Sequence, residues 1–275
     1  MAVQYKLDDT QFELSEEQKF LFDLKGYIVI PNVFNEEQVI AMREQVKNIA
    51  PGDRNRTTPG QTIPGGASEA IFSSPVVKGT LKYLIGGDVR LDNVFSIVRE
   101  KGEELGQAPH QGGPTRNPHF HYHFTEGQVY SGLTRLVVEL NDVGENDGGT
   151  FFLAGSHKAN LPVPESMREK KETYGYPFEG YAAKAGSVVF FSENTCHVGP
   201  AWNNPDYPRI AIFIAFCNLG MRWYRYNNVP DEVIEKLGPE ARMYFRDIFP
   251  WDNRGANGGR NVLLQNEDGT LTVSP

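Results

Sequence analysis

Residues 186–216, GSVVFFSENTCHVGPAWNNPDYPRIAIFIAF, read as two apolar runs, 188–191 and 210–216, joined by a polar loop. Both runs are short, rich in β-branched and aromatic residues and bounded by Gly, Asn and Pro, which is how buried strands read. His197 stands where the loop begins and Arg209 where it ends. A neutral imidazole just beyond a strand can ligate a transition metal, and an arginine entering the next strand can present a two-pronged fork to a carboxylate. The pair therefore suggests a metal together with a small carboxylic acid.

Outward from this stretch the chain is strand-rich from residue 94. VFSIV (94–98), GLTRLVVEL (132–140) and GGTFFLAGS (148–156) are short runs punctuated by Gly, Asn and Asp. Helices are segregated toward the N-terminus. Ser15 can cap SEEQKFLFDLKG (15–26), with Gly26 as its stop, and Asn35 can cap NEEQVIAMREQVKNIAP (35–51), which Pro51 ends. Between these two helices YIVIPNVF (27–34) reads as a strand. The fold class expected is mainly β with flanking helices: a sandwich or barrel carrying helices outside it. The expectation is a single domain over 1–275, with N-terminal helices and a strand over 15–50, a β core over 90–220 that carries the site, and a C-terminal helix and tail over 221–275. The helix in PDEVIEKLGPEARMYFRDIF (230–249) should break near Gly238 and Pro239. PGDRNRTTPGQTIPGGASE (51–69) reads as a long loop of the kind that serves as a lid or as a surface insertion.

Composition narrows the function. The net charge is −8 and the pI about 5.3; a nucleic-acid footprint would need clustered Lys and Arg. No apolar run approaches the ~18 residues of a membrane span, and the first ten residues are polar where a secretory leader is apolar. A cytoplasmic protein with a small-molecule substrate is expected, with neither nucleic acid nor membrane as partner. Two cysteines, Cys196 and Cys217, make no disulfide framework.

Histidine carries the chemical signal. Five of the six lie between residues 110 and 157. In HFHYH (119–123), His119, His121 and His123 alternate, so on a strand all three share one face, either around a metal or along a polar cavity wall. His157, beside a strand end, reads as a structural hydrogen-bonding residue. Arg135 lies inside the apolar strand LTRLVVEL, where a charge is costly unless it faces a cavity or partner; it is a candidate for substrate or cosubstrate contact. Trp202 is either a pocket wall or core packing.

Three stretches together resemble the phytanoyl-CoA dioxygenase family of Fe(II)- and 2-oxoglutarate-dependent oxygenases: GYIVIPNVFNEEQVIAMREQV (26–46), GLTRLVVELNDVGENDGGTFFLAGSHK (132–158) and CHVGPAWNNPDYPRIAIFIAF (196–216). The resemblance covers most of residues 20–220. It implies a double-stranded β-helix of jelly-roll, cupin-like type and an enzyme that uses Fe(II), 2-oxoglutarate and O2. Iron is held in such a family by a His-x-Asp/Glu pair and a distal histidine. His197 matches the distal histidine, and Arg209, twelve residues on, matches the arginine that binds the far carboxylate of 2-oxoglutarate. His110, 87 residues before His197, matches the first histidine.

At the carboxylate position the pattern departs, because HQG places Gly112 there. Three readings stand side by side. Two histidines alone hold iron, with water or a halide at the open position, as in related halogenases. An acid from another segment substitutes, Glu126 and Glu139 being near in sequence. Or the first ligand is His119, His121 or His123 and HQGG is a turn. The leading expectation is oxidation of a C–H bond, most simply hydroxylation, with 2-oxoglutarate converted to succinate. A halogenase and a cupin-like small-molecule binding protein without turnover are the alternatives.

Overall fold

A computed structural model describes residues 3–5, 11–49, 63–86, 89–103, 107–111, 120–171, 173–224, 229–246, 248, 263–265 and 271–273. The first part of the chain forms β1 (Val3–Tyr5), α1 (Glu16–Lys25), β2 (Tyr27–Ile30), α2 (Glu36–Lys47), α3 (Ala70–Ser73) and α4 (Pro75–Ile85). The middle contributes β3 (Val89–Arg99), β4 (His123–Thr125), β5 (Gln128–Tyr130), β6 (Thr134–Glu139), β7 (Phe151–Leu153), α5 (Glu165–Arg168), β8 (Phe178–Glu179), β9 (Val188–Ser192), β10 (His197–Val198) and β11 (Arg209–Asn218). Then follow α6 (Asp231–Ile234), α7 (Pro239–Arg242), β12 (Leu263–Gln265) and β13 (Leu271–Val273).

Local chemistry sets the helix ends. Ser15 and Asn35 each accept a hydrogen bond from the backbone N–H three residues on, while Gln18 and Gln38 reach back to the cap, satisfying donors that the first turn leaves orphaned. Gly26 ends α1 at φ 81°, a left-handed conformation that glycine adopts without strain.

The core is two antiparallel sheets face to face. The larger runs β2-β9-β6-β11-β3 and the smaller β10-β7-β8. Alternation along the strands divides the larger sheet into two faces. Ile210, Ile212, Ile214 and Phe216 of β11, with Leu136 and Val138 of β6, join the core under α2, α3 and α4. Ala211, Phe213, Val137, Val189 and Phe191 point the other way, against Phe152, Tyr181 and Trp202. This is the double-stranded β-helix core with helices on its outer face.

Two local expectations are revised. HFHYH is not one strand: residues 120–122 form a turn and bend, and only His123 enters β4, which pairs with β5 around the turn at Glu126 and Gly127. Alternating polar and aromatic residues do not distinguish a strand from a bend leading into a hairpin. The long loop of 51–69 closes before its expected end, since Gly66–Glu69 form a 3-10 helix on which Gln45 donates to Gly65 O at 2.5 Å; residues 51–62 lie outside the described residues. The 11-residue helix α4, capped by Ser74 with Pro75 in its first turn, was not anticipated. The C-terminal break is where Gly238 and Pro239 put it, between α6 and α7.

Candidate active site

The inner face of the larger sheet carries charge where an ordinary core would be apolar. Arg99 of β3, Arg135 and Glu139 of β6, and Arg209 of β11 all lie buried there, with Glu193 just past β9. Burying charges of this number is costly unless they are paired and hydrogen-bonded. Two pairs result. Arg209, 0% exposed, forks onto Glu139 through Nε (3.3 Å to Oε2) and Nη2 (2.5 Å to Oε1). Arg135 donates from Nε to Glu193 Oε1 at 2.6 Å. Arg99 has backbone carbonyls as partners, Pro200 O at 2.6 Å and Gly148 O at 2.8 Å; burial, and then the nearby Arg209, lower its pKa to about 9.

His110 and His197 are brought together by the backbone. They form a β-bridge, with His110 N–H donating to His197 O (3.0 Å) and His197 N–H to His110 O (2.9 Å), and their ring centroids are 4.4 Å apart. Each imidazole has its Nδ1 against a backbone carbonyl two residues earlier: Ala108 O at 2.9 Å for His110, Thr195 O at 2.7 Å for His197. A carbonyl only accepts, so Nδ1 carries the proton and, in the neutral ring, Nε2 carries the lone pair, the tautomer that metal-ligating histidines adopt. Burial lowers the His197 pKa to about 4, against the opposing pull of Glu193, so the ring is neutral near pH 7.

These groups line a cavity of about 210 Å³. Its apolar walls are Phe95, Phe191 and Phe213 from the larger sheet, and its polar groups include His110, His197, Glu193, Arg135 and Thr150. Trp223 and Tyr224 close one side. Their backbone N–H groups donate to the buried carboxylate of Asp92 at 3.1 and 3.0 Å, an anchor made by the β-bulge where β3 and β11 shift register. Arg209 does not itself line the cavity: its Nη2 lies 3.4 Å from the hydroxyl of Thr150, which does, and its Nη1 is a buried donor without a hydrogen-bond partner.

The remaining sequence candidates lie elsewhere. His123 is exposed and stacks on Tyr130, and neither it nor His121 lines the cavity. His119 and Gly112 fall outside the described residues. Glu126 sits exposed in the β4–β5 turn, and Glu139 is held by Arg209 and by the Tyr181 hydroxyl at 2.6 Å. His157 is buried with Nε2 3.0 Å from Asp23 O, a structural tie to α1. Trp202 is packed between the sheets. Cys196 and Cys217 are both free and buried.

Glu193 escaped the sequence reading. The available signal was an acid directly after the apolar run VVFFS and four residues before His197. Its pKa is subject to an upward push from burial, which Arg135 and then His197 outweigh, so the carboxyl titrates below its ordinary range. Its second oxygen, Oε2, is 3.7 Å from His197 Nε2. Among the described residues no three His, Cys, Asp or Glu side chains stand in closed metal-holding geometry. The two free imidazole nitrogens nonetheless fit the histidine half of a non-haem iron site.

Comparison with known proteins agrees with this architecture. The family model described as phytanoyl-CoA dioxygenase (PhyH) matches residues 22–211. An ectoine dioxygenase of Bordetella bronchiseptica is 28% identical over 282 aligned positions, covering 87% of this chain and 86% of that protein. Another from Stutzerimonas stutzeri is 24% identical, covering 84% and 82%. Among solved structures, HygX from Streptomyces hygroscopicus with nickel and 2-oxoglutarate bound superposes with a TM-score of 0.65 at 18% identity, over 80% of this chain and 93% of that one. EctD from S. alaskensis with 2-oxoglutarate and 5-hydroxyectoine gives 0.55 at 17%, over 82% and 86%. The family match runs through His110, His197 and Arg209 alike, and the chain accordingly belongs to the phytanoyl-CoA dioxygenase family, as a non-haem dioxygenase that uses Fe(II), 2-oxoglutarate and O2.

Proposed function

We propose that this dioxygenase hydroxylates a C–H bond of a small organic molecule, so that R–H, 2-oxoglutarate and O2 give R–OH, succinate and CO2. The observation that carries this reading is the pair of imidazoles, each with Nδ1 committed to a carbonyl and Nε2 left as a lone pair, 4.4 Å between ring centroids at one end of a buried cavity. His110 and His197 would hold the iron. Bound there, iron supplies oxygen activation and the decarboxylation of 2-oxoglutarate, chemistry that no side chain provides.

The chain's own part is placement and dryness. Arg209 would take the far carboxylate of 2-oxoglutarate through its unpartnered Nη1, beside the Thr150 hydroxyl that reaches the cavity. Arg135, whose Nη1 is likewise a buried donor without a partner, is the second place for a carboxylate. Phe95, Phe191 and Phe213 exclude water around the reacting C–H bond, which strengthens every polar contact inside. The cavity of about 210 Å³ is below the ~300–1,000 Å³ typical of drug-sized ligands, which favours a small substrate. The ectoine dioxygenases among the similar proteins are named for a small molecule of that kind, whereas HygX has been solved with hygromycin B, a larger one. We also propose that residues 1–275 work as one domain, since helices and both sheets share the cores described above.

The test is succinate release from 2-oxoglutarate with Fe(II) under air, across a panel of small zwitterionic and polyhydroxylated molecules, with products weighed by mass spectrometry. A product heavier by one oxygen supports hydroxylation. A chloride- or bromide-containing product that disappears in Gly112→Asp assigns the halogenase reading instead.

A further inference from the structure

We infer that Arg99 is a second determinant of cosubstrate selectivity: its charge, left uncompensated across the sheet from Arg209, demands a keto acid whose far end is a carboxylate. The inference rests on the proposed placement of that carboxylate at Arg209 and adds a second arginine to it. β3 and β11 pair with Arg99 directly opposite Arg209, and strand alternation sends both side chains to the inner face, in the same rank as Ile97 with Ala211 and Phe95 with Phe213. Directly opposed residues stand about 4.5–5.5 Å apart at Cβ, and like charges so placed repel.

The charges on this face do not cancel. Arg99, Arg135 and Arg209 are buried there against the two carboxylates of Glu139 and Glu193. Glu139 is forked by Arg209, and Glu193 is taken by Arg135. One positive charge is left over, and it sits on Arg99. Pro200 O and Gly148 O satisfy two of its donors without supplying charge, and its Nε is a buried donor without a partner. Tyr181 brings no anion, because burial holds its hydroxyl above the ordinary phenol range. Glu103 also acts on Arg99 but is exposed, where water and salt screen it. With a pKa lowered to about 9, Arg99 still carries its charge near pH 7. A buried cation is costly until an anion joins it. Arg99 also ties down both loops that reach the cavity from this corner, at Gly148, two residues before Thr150, and at Pro200, one after Gly199. A carboxylate received by Arg209 and Thr150 therefore lies in the field of a second arginine, which acts through its charge where Arg209 acts through its fork. A keto acid ending in a methyl group would leave that charge uncompensated.

The test is calorimetric binding of two keto acids to Zn(II)-loaded protein, which cannot turn them over: 2-oxoglutarate, and 2-oxopentanoate, which has the same five-carbon chain with a methyl in place of the far carboxylate. Arg99→Gln is expected to weaken 2-oxoglutarate by about tenfold or more and 2-oxopentanoate by less than about twofold, and Arg99→Lys, which keeps the charge, to bind 2-oxoglutarate within about threefold of the parent. Parental 2-oxoglutarate affinity in Arg99→Gln overturns the inference, and if Arg209→Lys weakens it the placement at Arg209 stands. Equal losses for the two keto acids in Arg99→Gln, or no recovery in Arg99→Lys, reduce Arg99 to a staple of the two loops and overturn it as well. A parent that binds both keto acids equally has no far-carboxylate site at this corner, which overturns the placement at Arg209 and the inference with it. Should Arg99→Gln not fold, the Nε–H resonance of Arg99, assigned by its loss in Arg99→Lys, is followed in the Zn(II)-loaded parent. A shift with 2-oxoglutarate that 2-oxopentanoate does not cause supports the inference, and no shift, or the same shift with both, overturns it.

Discussion

His110 and His197 hold each other through two reciprocal backbone hydrogen bonds, 3.0 and 2.9 Å, so the placement of one imidazole is the placement of the other. The bridge is made by main chain, which a side-chain substitution leaves in place. His197→Ala is therefore expected to abolish Fe(II) and Co(II) binding and succinate formation while lowering stability by no more than about 1 kcal/mol, roughly 2–4 °C in Tm. Metal titration alongside a thermal melt checks both halves.

Arg209 presents a more demanding case, because Glu139 already neutralises it. Burial acts to lower its pKa, and Glu139 reverses that, so its charge is secure. Lysine retains the charge and loses the planar fork. Arg209→Lys is expected to raise the 2-oxoglutarate concentration needed for half-maximal succinate release about tenfold, or about 1.4 kcal/mol. An unchanged requirement would move the carboxylate to Arg135, where the same measurement on Arg135→Lys would show the rise.

Gly26 joins the end of α1 to the turn that precedes His197. Its carbonyl accepts from Ser192 N–H and from the Thr195 hydroxyl, both at 3.0 Å. A Cβ there would lie 2.3 Å from Thr195 Oγ1 and 2.4 Å from His157 Nδ1, on a backbone at φ 81°. Gly26→Ala should cost at least about 2 kcal/mol, a fall in Tm of roughly 4–8 °C, and should weaken Co(II) binding through the displaced turn. A melt within 1 °C or so of the parent would show that the turn yields freely.

Acid sensitivity should trace in part to His157. Burial is the main cause that lowers its pKa from 6.5 to about 4, opposed by the bond to Asp23 O. The unfolded chain then binds the proton more readily than the folded one, so the stability is fully present above pH 6.5 and is lost as pH falls toward 4. The slope is up to about 1.4 kcal/mol per pH unit for this group. Urea unfolding of metal-free protein at pH 7 and pH 5 should show His157→Gln less acid-sensitive than the parent. Equal losses in the two proteins would place the acid sensitivity in other groups.

The sequence by itself determined the strands of the larger sheet, the helix caps and the face that Arg135 shares with Val137. Those follow from periodicity and from side chains acting on backbone within four residues, so 188–191, 210–216, Ser15 and Asn35 could be read locally. It also singled out His110 and His197, because a family pattern records spacing. The tertiary structure decided which charges meet. Glu139 and Arg209 are 70 residues apart and Arg135 and Glu193 are 58 apart, and only strand pairing puts each pair on one inner face. Register decided that Glu193, and neither Glu126 nor Glu139, stands beside His197. The HFHYH segment went astray for the same reason: alternation is a local signal, whereas membership of the cavity wall depends on how the sheets fold over one another, and the cost of burying charge is settled only by the partners that folding provides.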